Sequence, residues 1–425
     1  MPFIIEALPA KEGDCLLLHW GEDGQTKTAL IDGGPAGVYL EALSERLKEL
    51  GGAIEPARLE LLMISHCDAD HIVGVRDLLR KVKAAVENHQ VNKAPAIIER
   101  LWHNTFEDII GDPDSSRYTA ATAGIASLAS VEGEPSPDLE SALRSAAAQR
   151  NLTDSEEEEA LVHDLSMVLA SHGQSREVRD LHRFLRQKDQ IRPINHPAVD
   201  SNGDPELIST ALNKNLFNLK GLSIQIVGPS VEQLESLKKE FDAYIKKNGL
   251  VEAGILAAYL DKSAPNLSSI VCLAEFNGSR ILLTGDARGD HILEGLKSEE
   301  LLDSDGHIHV DVLKVPHHGS NRNTSLEFFQ AVSADHYIIS GNGKHGNPDR
   351  ETLEWIIKSR TDLKTYHIWL TYTAEEIDAV HMEELQSKHK PWLIHKHSVV
   401  QWRDEVASLV TSCVVHDSEQ ISIAL

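Results

Sequence analysis

The order of apolar and polar positions divides the chain into three stretches of different texture. In the first hundred residues PFIIEAL, CLLLHW and KTALI read as strands, with the hairpin signal Asp23-Gly24 between the last two. The run LELLMI predicts a buried strand. Residues 76–88 then place Leu78, Leu79, Val82 and Val86 on one face, the spacing of a helix beginning near residue 74. AIIERLWHN returns to strand character.

From 105 to 215 the apolar positions take helical spacing (Leu161, Leu165, Val168 and Leu169, then Val178, Leu181 and Leu185), separated by loop compositions such as DPDSS and VEGEPSPD. This predicts an acidic, mostly surface-facing helical insertion, with Glu156–Glu159 as the solvated first turn of a helix. Strands resume at LSIQIVGPS, followed by the helical pattern of residues 231–247. SSIVCLAEF and SRILLTGD flank Asn277-Gly278, a pair suited to a type I′ turn. VDVLKVPHHGS and DHYIISGN are two further strands with polar, glycine-containing ends. The tail alternates helices with short strands and closes on ISIAL. The expected class is α/β (α+β) with one sizeable insertion.

Composition narrows the partners. The chain has 41 basic and 66 acidic residues, a net charge of −25 over 425 residues. Phosphate backbones are bound through Lys and Arg, so broad nucleic-acid binding is disfavoured, although a small basic cleft or a metal site is not. No window approaches the ~20 apolar residues of a membrane-spanning helix. The four scattered cysteines, Cys15, Cys67, Cys272 and Cys413, read as buried free thiols. With no basic, apolar leader at the N-terminus, a cytoplasmic protein is expected.

Three strand ends carry donors that suit divalent ions. The first is SHCDADHIVG, with His66, Asp68, Asp70 and His71; the second is Thr284-Gly285-Asp286; the third is Pro316-His317-His318-Gly319-Ser320. Carboxylate oxygens and neutral imidazole nitrogens bind zinc at about 2.0–2.2 Å, and similar sets suit manganese. Asp70 also fits the bland role of helix N-cap, but a cap accounts for one carboxylate and not for two His flanking two Asp.

These motifs resemble the metallo-β-lactamase-fold hydrolases, and most closely the branch related to the nuclease domain of the competence DNA-uptake channel. His66, Asp68, Asp70 and His71 match the first family motif, Ile31-Asp32-Gly33-Gly34 an upstream strand end, Asp286 the bridging carboxylate and LKVPHHGS the downstream metal-binding strand end. The resemblance covers roughly 1–100 and 216–350. It implies a four-layer αββα sandwich, divided as 1–104 (first half), 105–215 (helical insertion) and 216–425 (second half with C-terminal extension). It implies two zinc or manganese ions on His66, Asp68, Asp70, His71, Asp286 and His317. A metal-activated hydroxide would be oriented by Asp70, with His318 contacting the leaving oxygen; the exchange of His317 and His318 stays open.

Asp68 stands where most of the superfamily has His, and Asn266 replaces another family His. Both departures swap nitrogen for oxygen and favour harder ions. Asp32 is either a ligand-orienting carboxylate or a turn residue. Ser320 and Arg322 are placed to meet a phosphate or carboxylate, His345 lies near the expected pocket, and Trp102-His103-Asn104 is a candidate rim. The remaining tail histidines read as surface or core.

The expected activity is a phosphodiesterase or nuclease acting on nucleic acid or a small nucleotide. The alternatives are hydrolysis of an ester, lactone or thioester, and a non-catalytic metal-stabilised scaffold. The insertion is a candidate surface for a homodimer or a protein partner.

Overall fold

The computed structural model describes residues 3–105, 108–109, 173–210, 216–235, 238–239 and 268–425, except positions 23, 53, 54, 201, 362, 363 and 419. Asn266, most of the 105–215 insertion and most of the 231–247 helical pattern therefore lie outside the described residues, as does Asp23 of the first hairpin turn.

Among the described residues fifteen strands form two sheets. The first runs in the order β15 (Ile421–Ala424), β1 (Phe3–Ala7), β2 (Leu16–Trp20), β3 (Lys27–Ile31), β4 (Ala57–Met63) and β5 (Ala96–Ile98), with β6 (Leu101–Trp102) also paired to β4. The second runs β14 (Cys413–Asp417), β13 (Tyr366–Leu370), β12 (Val332–Ile339), β11 (Ile308–Lys314), β10 (Ser279–Leu283), β9 (Val271–Phe276), β8 (Leu222–Gly228) and β7 (Leu216–Leu219). The β9–β10 loop is the two-residue turn that Asn277-Gly278 predicts: both residues have positive φ, 52° and 85°, as a type I′ turn requires.

Side-chain alternation along the strands builds the layers. Leu16, Leu18 and Trp20 of β2 and Cys272, Ala274 and Phe276 of β9 share the core between the sheets. Leu17 and Leu30 point the other way, onto α1 (Ser44–Gly51), α2 (Ala69–Glu87) and α3 (173–187). Leu273, Leu282 and Tyr337 face a third core shared with α4 (Gly289–Ser298), α5 (Leu326–Ala331), α6 (Arg350–Ser359), α7 (Ala374–Ser387) and α8 (Val399–Leu409). Two sheets and three cores make an αββα sandwich.

Three details differ from the sequence reading. Helix α2 begins at Ala69 and not near residue 74. The described part of the insertion is not surface-facing throughout, because α3 buries Val178, Leu181 and Leu185 in the outer core of the first sheet. The tail is integral: β13 and β14 extend the second sheet while β15 pairs with β1. All four cysteines are buried and none is in a disulfide. Among the described residues no helix is long and apolar enough to cross a membrane.

Candidate metal centre

Strand ends from both sheets meet at one rim. Asp32 follows β3, His66 follows β4, and Asp70 and His71 lie in the first turn of α2. Asp286 follows β10; His317 and His318 follow β11. The two sheets are tied there by the Ile270 N–H donating to Ser65 O (2.9 Å), and within the second sheet the His317 N–H donates to Gly285 O (3.1 Å).

Close backbone approach seats α2 against the Asp32-Gly33-Gly34 loop. The Gly33 N–H donates to His71 O at 2.8 Å and the Gly74 N–H to Gly34 O at 3.0 Å. A Cβ on Gly74 would stand 1.9 Å from Gly33 O, so only glycine fits. Asp68 occupies the N-cap position, but its side chain makes no capping hydrogen bond. That carboxylate faces the site instead, with Oδ2 3.5 Å from His66 Nε2. Capping therefore explains neither Asp68 nor Asp70.

Three imidazoles are held in the same way. His71 Nδ1–H donates to Asp32 Oδ2 at 2.9 Å. His318 Nδ1 lies 3.0 Å from the Ser340 carbonyl, which can only accept, so the proton is on Nδ1. His66 Nδ1 is 3.0 Å from Ser65 Oγ, whose own proton goes to Asp32 Oδ2 at 2.7 Å. Each ring thus turns its Nε2 into the site. Among the described residues, His66 Nε2, His71 Nε2, His318 Nε2 and Asp286 Oδ1 are buried and have no hydrogen-bond partner. Buried polar atoms are rarely left so, and four of them at one rim suit a cation.

Asp70, His71, Asp286 and His318 offer ligand atoms within 4.8 Å of one another. Asp286 is central: its oxygens lie 3.3 Å from His71 Nε2, 3.5 Å from His318 Nε2, 3.6 Å from His317 Nε2 and 3.9 Å from His66 Nε2. Asp70 Oδ2 is 3.4 Å from His318 Nε2. Of the two adjacent histidines, it is His318 and not His317 that stands in the four-residue group. His317, His318 and Gly319 all have positive φ (47°, 54° and 82°), a tight left-handed turn. It leaves His318 2 % exposed, while the His317 side chain keeps 28 % of its surface at the cleft mouth.

The electrostatics express this crowding. Burial would lower His71 and His318, but the surrounding carboxylates, Asp286 foremost, hold both well above the usual imidazole value. Burial would raise Asp70 and Asp286; the imidazoles beside them hold both down instead. His317, dominated by burial, lies below its ordinary value. The site is full of charge that a proton or a divalent ion would balance.

Behind it, Asp14, Asp32 and His71 form a second compact acidic group. That group already has its cation: Lys314, fully buried, places Nζ 2.7 Å from Asp14 Oδ2. Asp14 Oδ1 in turn lies 3.5 Å from His318 Nδ1. Asp14, Lys314 and Ser65 were not among the expected site residues. A lysine inside the apolar strand DVLKV was the available signal, because a buried lysine needs a partner.

Ser320 is buried beside the cluster, and Arg322 is exposed and makes no ion pair among the described residues. Both line an open cleft of about 940 Å³ that starts at Asp70, His317 and His318. His345 lies on the same cleft, outside both acidic groups, with Nδ1 3.7 Å from Glu384. Trp102, His103 and Asn104 are buried ties to the insertion and do not form an open rim. Trp102 Nε1–H donates to His196 O, while Asn104 Nδ2–H donates to Ile208 O and Asn104 Oδ1 accepts the Ile208 N–H. Burial pushes His103 down to about 3.

The metallo-beta-lactamase superfamily model matches residues 11–136, the stretch that carries Asp14, Asp32, His66, Asp68, Asp70 and His71. ComE operon protein 3 of Bacillus subtilis (strain 168) is 35% identical over 96 residues, 22% of this chain and 12% of that protein. Microtubule-associated protein 1A of Homo sapiens is 33% identical over 54 residues, 12% of this chain and 2% of that protein. The chain thus spans only a small part of the length of either relative. A solved protein of unknown function from Enterococcus faecalis V583 aligns at 12% identity over 90% of this chain and 68% of its own, with a TM-score of 0.28. The match to the superfamily model thus covers residues 11–136, and the two-sheet α/β sandwich is consistent with the metallo-beta-lactamase fold.

Proposed function

We propose that the chain is a divalent-metal-dependent hydrolase whose substrate is a phosphodiester, in nucleic acid or a small nucleotide. The observation that carries the metal is the convergence on Asp286 of three buried Nε2 atoms that have no hydrogen-bond partner among the described residues. The residues that would hold it are His66, Asp68, Asp70, His71, Asp286 and His318, three nitrogens with an oxygen-rich remainder that suits manganese as well as zinc. Ions bound there would acidify a water and offset charge on the scissile group.

The protein's own side chains supply the rest. Asp32 fixes the His71 ring, and the Ser340 carbonyl fixes that of His318. His317, at the cleft mouth with Nε2 3.6 Å from Asp286, is the group placed to hydrogen-bond a leaving oxygen, so the two histidines exchange the roles first expected of them. Arg322, which makes no ion pair among the described residues, offers a cation to a non-bridging phosphate oxygen. Likeness to ComE operon protein 3 over 96 residues supports the competence-related branch, and with it phosphodiesters over lactones.

The test is hydrolysis of a bis-aryl phosphodiester with added manganese, beside a panel of lactones and thioesters. Wild-type protein should hydrolyse the diester, and Asp70→Ala and Asp286→Ala should abolish that turnover. Turnover of a lactone alone would assign the other chemistry. Metal-free protein that binds neither zinc nor manganese would remove both.

A further inference from the structure

The tail segment Lys388-His389-Lys390-Pro391-Trp392-Leu393-Ile394-His395-Lys396-His397 holds three lysines, three histidines and no carboxylate, in a chain of net charge −25. The fold brings it to the candidate metal centre. Lys388, His395, Lys396 and His397 line the same cleft as Asp70, His317 and His318. Behind them the rings cluster: His381 lies 5.1 Å from His397 and 5.5 Å from Trp392, and Trp392 lies 5.4 Å from His397, centroid to centroid.

Most carboxylates on the cleft walls are engaged. Glu12 pairs with Lys344, and Glu354 with Arg350 and Lys358. Asp349 accepts the Asn321 N–H at 2.8 Å, and Glu351 accepts from Asn321 Nδ2 at 3.1 Å. Among the described residues Lys396 and Arg322 carry no ion pair, and both act electrostatically on Asp349, one from the tail and one from the loop after β11. Two available cations beside a ring cluster, opening onto a hydrolytic centre, match the chemistry of an extended polyanion with flat rings. Cations take the phosphates and aromatic faces take the bases.

Resting on the phosphodiesterase reading above, we propose that residues 388–397, with His381 and Arg322, form the substrate wall of the cleft, and that the substrate is a single-stranded oligonucleotide. Lys396 and Arg322 hold the phosphates flanking the scissile one, and the His381–His397 rings meet a base. A duplex hides its base faces and offers this wall only its backbone, against the repulsion of an acidic protein. Specificity for single strands then follows from a local patch and not from net charge.

The measurement is fluorescence anisotropy of a labelled twelve-nucleotide oligothymidylate, single-stranded and in duplex, with calcium replacing manganese so that binding is read without turnover. The single strand should bind at least about tenfold tighter than the duplex. The variant His395→Ala/Lys396→Ala alters two exposed side chains, and circular dichroism checks its fold. It should weaken single-strand binding about tenfold and reduce the log–log salt slope by about 0.7 for the lost lysine contact. Arg322→Ala should do the same, while Lys48→Ala, on α1, should change nothing. Absent binding, duplex binding as tight as single-strand binding, or unchanged binding in the tail variant would each overturn the proposal. The two readings separate cleanly: diester hydrolysis without oligonucleotide binding removes the wall alone. Wall-dependent binding without hydrolysis removes the phosphodiesterase alone.

Discussion

His66, His71 and His318 present the same atom to the site because each has its other nitrogen fixed by a neighbour: Ser65 Oγ, Asp32 and the Ser340 carbonyl. Orienting groups of this kind typically contribute 10–100-fold to metal affinity, so Asp32→Ala should weaken manganese binding by about that factor in a calorimetric titration. The adjacent histidines should separate under the same substitution. His318→Gln should lose bound metal by elemental analysis. His317→Gln should keep it while turnover falls by about 10²–10⁴, the usual contribution of a positioned acid or base. Equal metal loss in both variants would return His317 to the ligand set. Residue types at the strand ends were readable from composition and spacing. Which ring nitrogen faces the site was not, since it depends on partners 22 and 39 residues away, one of them a backbone carbonyl.

Helix α2 carries two candidate ligands in its first turn, and its seat depends on Gly33 and Gly74. Gly74→Ala would drive a methyl group into Gly33 O, and overpacking of this kind costs about 1–3 kcal/mol. The expected outcome is a lowered urea midpoint together with weaker metal binding, because His71 moves with the helix. The start of α2 was misplaced by five residues for a physical reason. His71 to Arg76 are all buried, so this turn shows no polar face and no helical period. The β9–β10 hairpin was legible because Asn-Gly encodes its own turn.

A second element contact sets a pH dependence. Glu6 on β1 accepts two hydrogen bonds from Arg46 on α1, at 2.7 and 2.8 Å, and lies 3.4 Å from His19. Burial would raise this carboxyl, but His19 and Arg46 bring it down from 4.5 to about 2. A depressed carboxylate stabilises the fold above its unfolded value, and that contribution fades as pH falls from 4.5 towards about 2. Wild type and Glu6→Gln should therefore differ most in unfolding free energy near neutral pH and converge in acid.

At the scale of the molecule, the sandwich gathers Asp14, Asp32, Asp70 and Asp286 at one rim, and Lys314 on Asp14 is the lysine or arginine paired with them among the described residues. A ligand that binds only the folded state stabilises it, by about 2.7 kcal/mol at a hundredfold excess over its dissociation constant. Manganese should therefore raise the thermal midpoint, a chelator should reverse the rise, and Asp286→Ala should respond to neither. Local sequence determined the strands, the Asn-Gly turn, the buried thiols and the donors at each strand end, because those follow from nearest neighbours and side-chain chemistry. Only the tertiary structure decided that His318 enters the cluster, that Lys314 neutralises Asp14 and that the basic tail segment borders the same cleft. Those outcomes depend on strands from two sheets meeting at one edge, and order along the chain does not encode which distant groups share a volume.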